Sequence, residues 1–209
     1  MYNFHRLIGY PFFVLSVRIG IKANYLSVLV FVFRVIASVL FLHGEYFWSL
    51  GAICFMHLSS GVDCVDGPLA RYRGEASKLG EWLCSVSMVV KTAMMWSCIT
   101  IGVYRDALNP IVLIFGMVIV GHLLVTHYLM KEKRRFGDTK GAIKFGKRPQ
   151  DTIGFEFVLD SIITFFVIFN QPYNLLLFMA FAGFIPWSIL ILQGIKFHTS
   201  HEPPSAAKK

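Results

Sequence analysis

The sequence predicts an all-α integral membrane fold of six transmembrane helices, preceded by an N-terminal interfacial helix. Three observations predict it. Hydrophobic residues make up 56% of the 209 and charged residues only 15%, giving a mean hydropathy of +0.60; a soluble domain carries about a quarter charged residues. The apolar residues come in long runs, which suit a bilayer better than an oversized core. The fixed cations gather between those runs, as topology signals do.

The first element is Met1–Lys22. It mixes Tyr2, Phe4, Phe12, Phe13 and Leu15 with His5, Arg6, Arg18 and Lys22, and Pro11 interrupts it. This pattern predicts a helix lying on the membrane, with its aromatics sunk and its cations near lipid phosphate; a short inserted span is the alternative. It lacks an uninterrupted apolar core followed by small residues, so no cleavable signal is expected. Six apolar runs follow: Leu26–Leu42, Tyr46–Val65, Leu79–Val103, Pro110–Met130, Ile153–Asn170 and Asn174–Ile195. At a rise of about 1.5 Å per residue, each is near the length that crosses a hydrocarbon core. Residues 1–196 thus read as one membrane domain. Residues 197–209, with Pro203-Pro204, read as a disordered cytoplasmic tail. No internal repeat is visible.

The formal charge is +8 and the sequence pI about 9.4. Arg71, Arg73 and Lys78 follow the second run. Lys131, Lys133, Arg134, Arg135, Lys140, Lys144, Lys147 and Arg148 follow the fourth. The connections on the other side are short and hold only Arg105 as a fixed cation. The positive-inside rule therefore places both basic segments, both termini and the residues discussed next on the cytoplasmic side. Cations at that border suit anionic membrane lipids as partners, and no nucleic acid is expected. Cys54, Cys64, Cys84 and Cys98 form no C-x-x-C pair and read as small buried hydrophobes.

Asp63 and Asp66 close the second run. Three residues apart on a helix, they share a face, and two such carboxylates repel unless a positive charge lies between them. A hard divalent cation, magnesium, calcium or manganese, meets that need. The structural reading is a helix end whose acids meet headgroup water, with Arg71 or Arg73 as partners. Gly67 permits close backbone approach, and Arg71 brings a planar fork suited to phosphate. Gly80, Cys84 and Met88 recur at steps of four along the third run, one helical stripe. From the residues alone, Cys84 and Met88 are packing residues. Lys91, three beyond Met88, either snorkels or pairs with an acid. Asp160 lies well inside the fifth run and faces Lys91, Arg34 or a polar cavity. Glu81 and Glu156 sit at run ends, where solvation is the expected role.

The stretch beginning at Asp63 resembles the motif of the CDP-alcohol phosphatidyltransferase (phosphotransferase) family: D-x-x-D-G-x-x-A-R, eight residues, then G-x-x-x-D-x-x-x-D. Asp63, Asp66, Gly67, Ala70, Arg71 and Gly80 match at the right spacing. Ala23-Asn24-Tyr25-Leu26-Ser27 also has the family's look, with Ala23 where proline is usual. The resemblance implies transfer of a phosphoalcohol from a CDP-alcohol to an acceptor hydroxyl, with release of CMP. It implies that Asp63 and Asp66 are metal ligands for Mg2+ or Mn2+, and that Gly67, Ala70, Arg71 and Gly80 line the nucleotide site. It further implies a CDP-alcohol or related nucleotide-lipid as ligand, and a homodimer or a membrane complex as the assembly.

The chain departs from the motif where it matters chemically. Cys84 stands at the third ligand position and Met88 at the general-base position. A thiol is a poor ligand for a hard ion, and a thioether takes no proton. The expectation is a catalytically impaired relative that keeps a nucleotide-, lipid- or partner-binding role. An active transferase with relocated groups, Glu81 or Asp160, is the first alternative; a structural or transport subunit is the second.

Overall fold

The computed structural model describes residues 2–137, 151–185, 188–189 and 191–192. Lys140, Lys144, Lys147, Arg148 and the tail His198–Lys209 lie outside the described residues. The described part is all helical: α1 (Tyr2–Ile19), α2 (Ala23–Leu42), α3 (Tyr46–Tyr72), α4 (Lys78–Ala107), α5 (Ile111–Gly137), α6 (Asp151–Ile168) and α7 (Pro172–Ala182). α2 packs on α3 and α4, α5 lies against α4 and α7, and α6 closes on α3 and α7. Most of the core forms around Trp96, Met56, Ile119, Ile163, Leu175 and Leu176, all essentially sealed from solvent. A second cluster, Leu26, Val30, Val62, Val65 and Leu69 with Phe12 and Phe13 of α1, fills the space among the first three helices.

The expectation of six spans is overturned. Among the described residues, three helical stretches are long and apolar enough to cross a membrane: Ala23–Leu42, Cys84–Ala107 and Ile111–Leu129. α3 is long, but His57, Ser59, Ser60, Asp63, Asp66 and Arg71 interrupt its apolar character. The apolar stretches Val158–Ile168 and Pro172–Ala182 are short. At about 1.5 Å per residue each reaches only about 16 Å, against a hydrocarbon core of about 30 Å.

The interfacial assignment of the N-terminal helix also needs correction. α1 runs alongside α3 and in the same direction. His5 meets His57 near its start, and Gly9 abuts Gly61 in its middle. At its last turn and just past it, Arg73 Nη2 donates to the Ser16 carbonyl at 2.7 Å and Nη1 donates to that of Ile21. The glycines make this contact possible. A Cβ on Gly9 would stand 2.2 Å from the Gly61 carbonyl oxygen, and one on Gly61 would stand 2.7 Å from Ile8. The face of α1 that meets α3 is thus committed to packing, with His5 and Ser16 buried. Arg73, read from sequence as a topology charge, is a clasp between α3 and the α1–α2 turn.

Inside the bundle, Arg34 of α2 and Asp160 of α6 form a buried ion pair at 3.2 Å. Arg34 Nη2 also donates to Ser60 Oγ at 2.9 Å and Nη1 contacts Met95 Sδ at 3.2 Å, while the Ser60 hydroxyl donates to Asp160 Oδ2. One polar knot therefore ties α2, α3, α4 and α6. Removing one partner of such a pair leaves the other charge buried and uncompensated. Arg34→Met is expected to destabilise the protein by about 3–5 kcal/mol, and Arg34→Met with Asp160→Leu to recover most of that loss; thermal denaturation in detergent measures both. Gly9→Val is expected to cost about 1–3 kcal/mol by forcing α1 off α3, read in the same assay and as faster proteolysis near the N-terminus.

Candidate functional site

Asp63 and Asp66 lie on α3, which continues through Pro68 to Tyr72. They are therefore within the helix and not at its end. Pro68 lacks the N–H that would bond the carbonyl four residues back, so the ladder is open beside the two acids. Asp66 Oδ2 accepts a hydrogen bond from Ser27 Oγ of α2 at 2.8 Å. Burial, and then the neighbouring Asp63 carboxylate, push Asp66 up to about 6, against the pull of the Ser27 hydroxyl, the Gly67 backbone N–H and Lys91. Two carboxylates held together out of water account for that direction.

The positive charge that relieves this repulsion is present in the chain itself. Lys91 of α4 places Nζ 3.0 Å from Asp63 Oδ1. The lysine side chain is 5% exposed and that of Asp63 27%, so the ammonium is drawn off the solvent and onto the carboxylate. Cys84, Met88 and Lys91 stand four and three residues apart on α4, along one helical stripe. The stripe that would carry two acids thus carries a thiol, a thioether and a cation. Cys84 is an exposed thiol. The metal-ligand set expected from the motif is incomplete, and the cation facing α3 is an amino group.

The other motif residues surround this pair unevenly. Gly67 is half-buried in mid-helix, and a Cβ there would meet only the Arg71 guanidinium, at the ordinary contact distance of 3.5 Å. No packing neighbour requires a glycine, although a helical glycine costs about 0.5–1 kcal/mol relative to alanine. Arg71 is exposed one turn further on. Ala70 is half-buried against the cluster among α1, α2 and α3. Gly80 lies in the first turn of α4, where its N–H donates to the Ser77 hydroxyl at 3.1 Å, an N-cap that starts the helix.

Of the sequence-derived alternatives for Asp160, Arg34 is the partner found. Lys91 goes to Asp63 instead. The sequence reading missed a second group: His5, His57 and Asp160 bring their ligand atoms within 4.8 Å of one another, a potential metal-ligand cluster. Its only sequence signal is two histidines in otherwise apolar surroundings, with no spacing that links them. The role of Ser27 was equally hidden, although it sits in the Ala23–Ser27 stretch already singled out.

The solved structure of phosphatidylinositol phosphate synthase from Mycobacterium tuberculosis, with CDP-DAG bound, is similar with a TM-score of 0.66 and 17% identity. The match covers 95% of this chain and 96% of that one, and at that identity it establishes a shared fold. No curated protein matches the sequence significantly. The sequence model of CDP-alcohol phosphatidyltransferases matches residues 21–191, which include both halves of the motif. With that match over most of its length, the chain belongs to the CDP-alcohol phosphatidyltransferase family.

Proposed function

We propose that this protein binds a CDP-alcohol or related nucleotide-lipid beside Asp63, Asp66 and Arg71, on the cytoplasmic side of the membrane, and that it is impaired in phosphoalcohol transfer. The observation that carries this reading is the Lys91–Asp63 ion pair, seen together with Cys84 and Met88 on the same helical stripe. Family membership supports the ligand class. Arg71 and the open backbone at Gly67 suit a phosphate group, and the similar enzyme's structure holds CDP-DAG.

The residues present do not fit a pair of Mg2+ or Mn2+ ions. Two metals act by clamping the attacking and leaving oxygens, which needs hard oxygen ligands on both sides of the site. One side offers Asp63, already neutralised, and Asp66. The other offers sulfur, which hard ions disfavour. A single weakly held ion is the most that this donor set supports. A thioether at Met88 also supplies no base, and base assistance alone is typically about 10²–10⁴-fold. An active transferase that recruits Asp160 would have to carry it from its place beside Arg34 and Ser60 to the Asp63–Asp66 pair.

Three measurements test this reading. Calorimetry with CDP-diacylglycerol is expected to show binding that changes little on adding Mg2+. Lys91→Met is expected to make that binding Mg2+-dependent, because Asp63 then lacks its internal cation. In a radiolabelled transfer assay the wild type is expected to be inactive with the common acceptor alcohols, and Cys84→Asp with Met88→Asp to create measurable turnover. Absence of nucleotide-lipid binding would defeat the ligand assignment, and brisk wild-type turnover would defeat the impairment.

A further inference from the structure

His5, His57 and Asp160 come from α1, α3 and α6. They meet about 9 Å along α3 from Asp63, at about 1.5 Å per residue. His5 and Asp160 are buried and His57 is half-buried. His5 Nε2 lies 3.0 Å from His57 Nδ1. The other nitrogen of His57, Nε2, lies 2.9 Å from Thr164 Oγ1. That hydroxyl donates its own proton to the Asp160 carbonyl at 2.7 Å, so it accepts from His57. The proton of neutral His57 is thereby fixed on Nε2, and the Nδ1 lone pair points at His5.

This is how a metal-binding imidazole is usually held: one nitrogen tied to an outer partner, the other presented to the ion. Two nitrogens bound tetrahedrally to zinc at about 2.0–2.1 Å stand about 3.3 Å apart, so the 3.0 Å observed between the imidazoles needs a shift of a few tenths, and the Asp160 carboxylate, within 4.8 Å of both, closes in by up to about 1.5 Å. The Asp160 carboxylate is oriented by Arg34 and Ser60, and the Phe4 ring stands edge-on to both imidazoles, with centroids 5.6 and 6.0 Å away. Two imidazoles and one carboxylate suit zinc and its first-row neighbours, and not magnesium. Three protein ligands leave one tetrahedral position for water or another donor.

We propose that His5, His57 and Asp160 form a binding site for a divalent transition-metal ion of the zinc class, separate from the Asp63–Asp66 pair, which clamps α1 to α3 and α6. His5 takes the tautomer protonated on Nδ1 and gives its Nε2 lone pair to the ion. Arg34 stays on Asp160 as an outer partner and holds its carboxylate in place.

The test is titration of the full-length protein in detergent with Co2+, followed by visible absorption, and with Zn2+, followed by thermal stability. The expected result is one equivalent of cobalt with the intense bands of tetrahedral coordination, displaced by Zn2+, and a Zn2+-dependent rise in melting temperature. His5→Gln and His57→Ala are each expected to abolish the bands, and Asp63→Asn to leave them. If either histidine variant fails to fold, the wild-type titration and the other variant still decide the matter. Absence of tetrahedral bands in the wild type would overturn the site. So would bands that survive a folded histidine variant, or bands lost with Asp63→Asn; none of these outcomes bears on nucleotide-lipid binding.

Discussion

A charge removed from water must find its counter-charge within the fold, and this protein is organised around two such obligations. The deeper one is Arg34 with Asp160, joined by Ser60 and Met95. In apolar surroundings neither partner can turn to solvent. Four helices are therefore held in one relative arrangement by groups that accept few substitutes. The aliphatic packing around Trp96 and Met56 supplies cohesion, and the ion pair supplies register. That register sets where α3 and α4 present Asp63, Asp66 and Lys91.

The shallower obligation is that of Asp63 and Asp66. In a site with a full set of carboxylates, metal ions would satisfy it. Here α4 brings sulfur at two positions and an amine at a third, and the amine settles on Asp63. An ammonium offsets one negative charge of the pair and lacks the chemistry of a divalent ion. It holds one carboxylate through a hydrogen bond at 3.0 Å and offers N–H donors, not the coordination positions through which a metal ion polarises a phosphate or activates an acceptor hydroxyl. The proposed site thus has groups suited to recognition and an incomplete set for displacement at phosphorus.

Much of this was legible in the residues, and the limits have physical causes. The helices themselves follow from long apolar runs, and the motif residues from Asp63 to Gly80 mark the family and the proposed site. The span count failed because run length alone ignores the polar residues scattered through α3, such as His57 and Ser60, which serve neighbouring helices and not the bilayer. The N-terminal helix was misread because aromatic and basic residues suit a membrane surface and a packed partner equally well. Only the close approach of Gly9 to Gly61 distinguishes them. Lys91 and Asp160 were both visible as misplaced charges, but which acid took which base depends on helix rotation, which a sequence does not state. His5 and His57 carried only the weak signal of histidines among apolar residues, and nothing linked them until α1 was laid along α3.

The most direct measurement of the central claim is an electron paramagnetic resonance titration of the purified wild-type protein with Mn2+. The account predicts no spin-coupled pair of ions, because Lys91 holds Asp63 and the facing stripe offers sulfur where carboxylates are needed. A coupled two-manganese signal in the wild type, lost in Asp63→Asn, would contradict it.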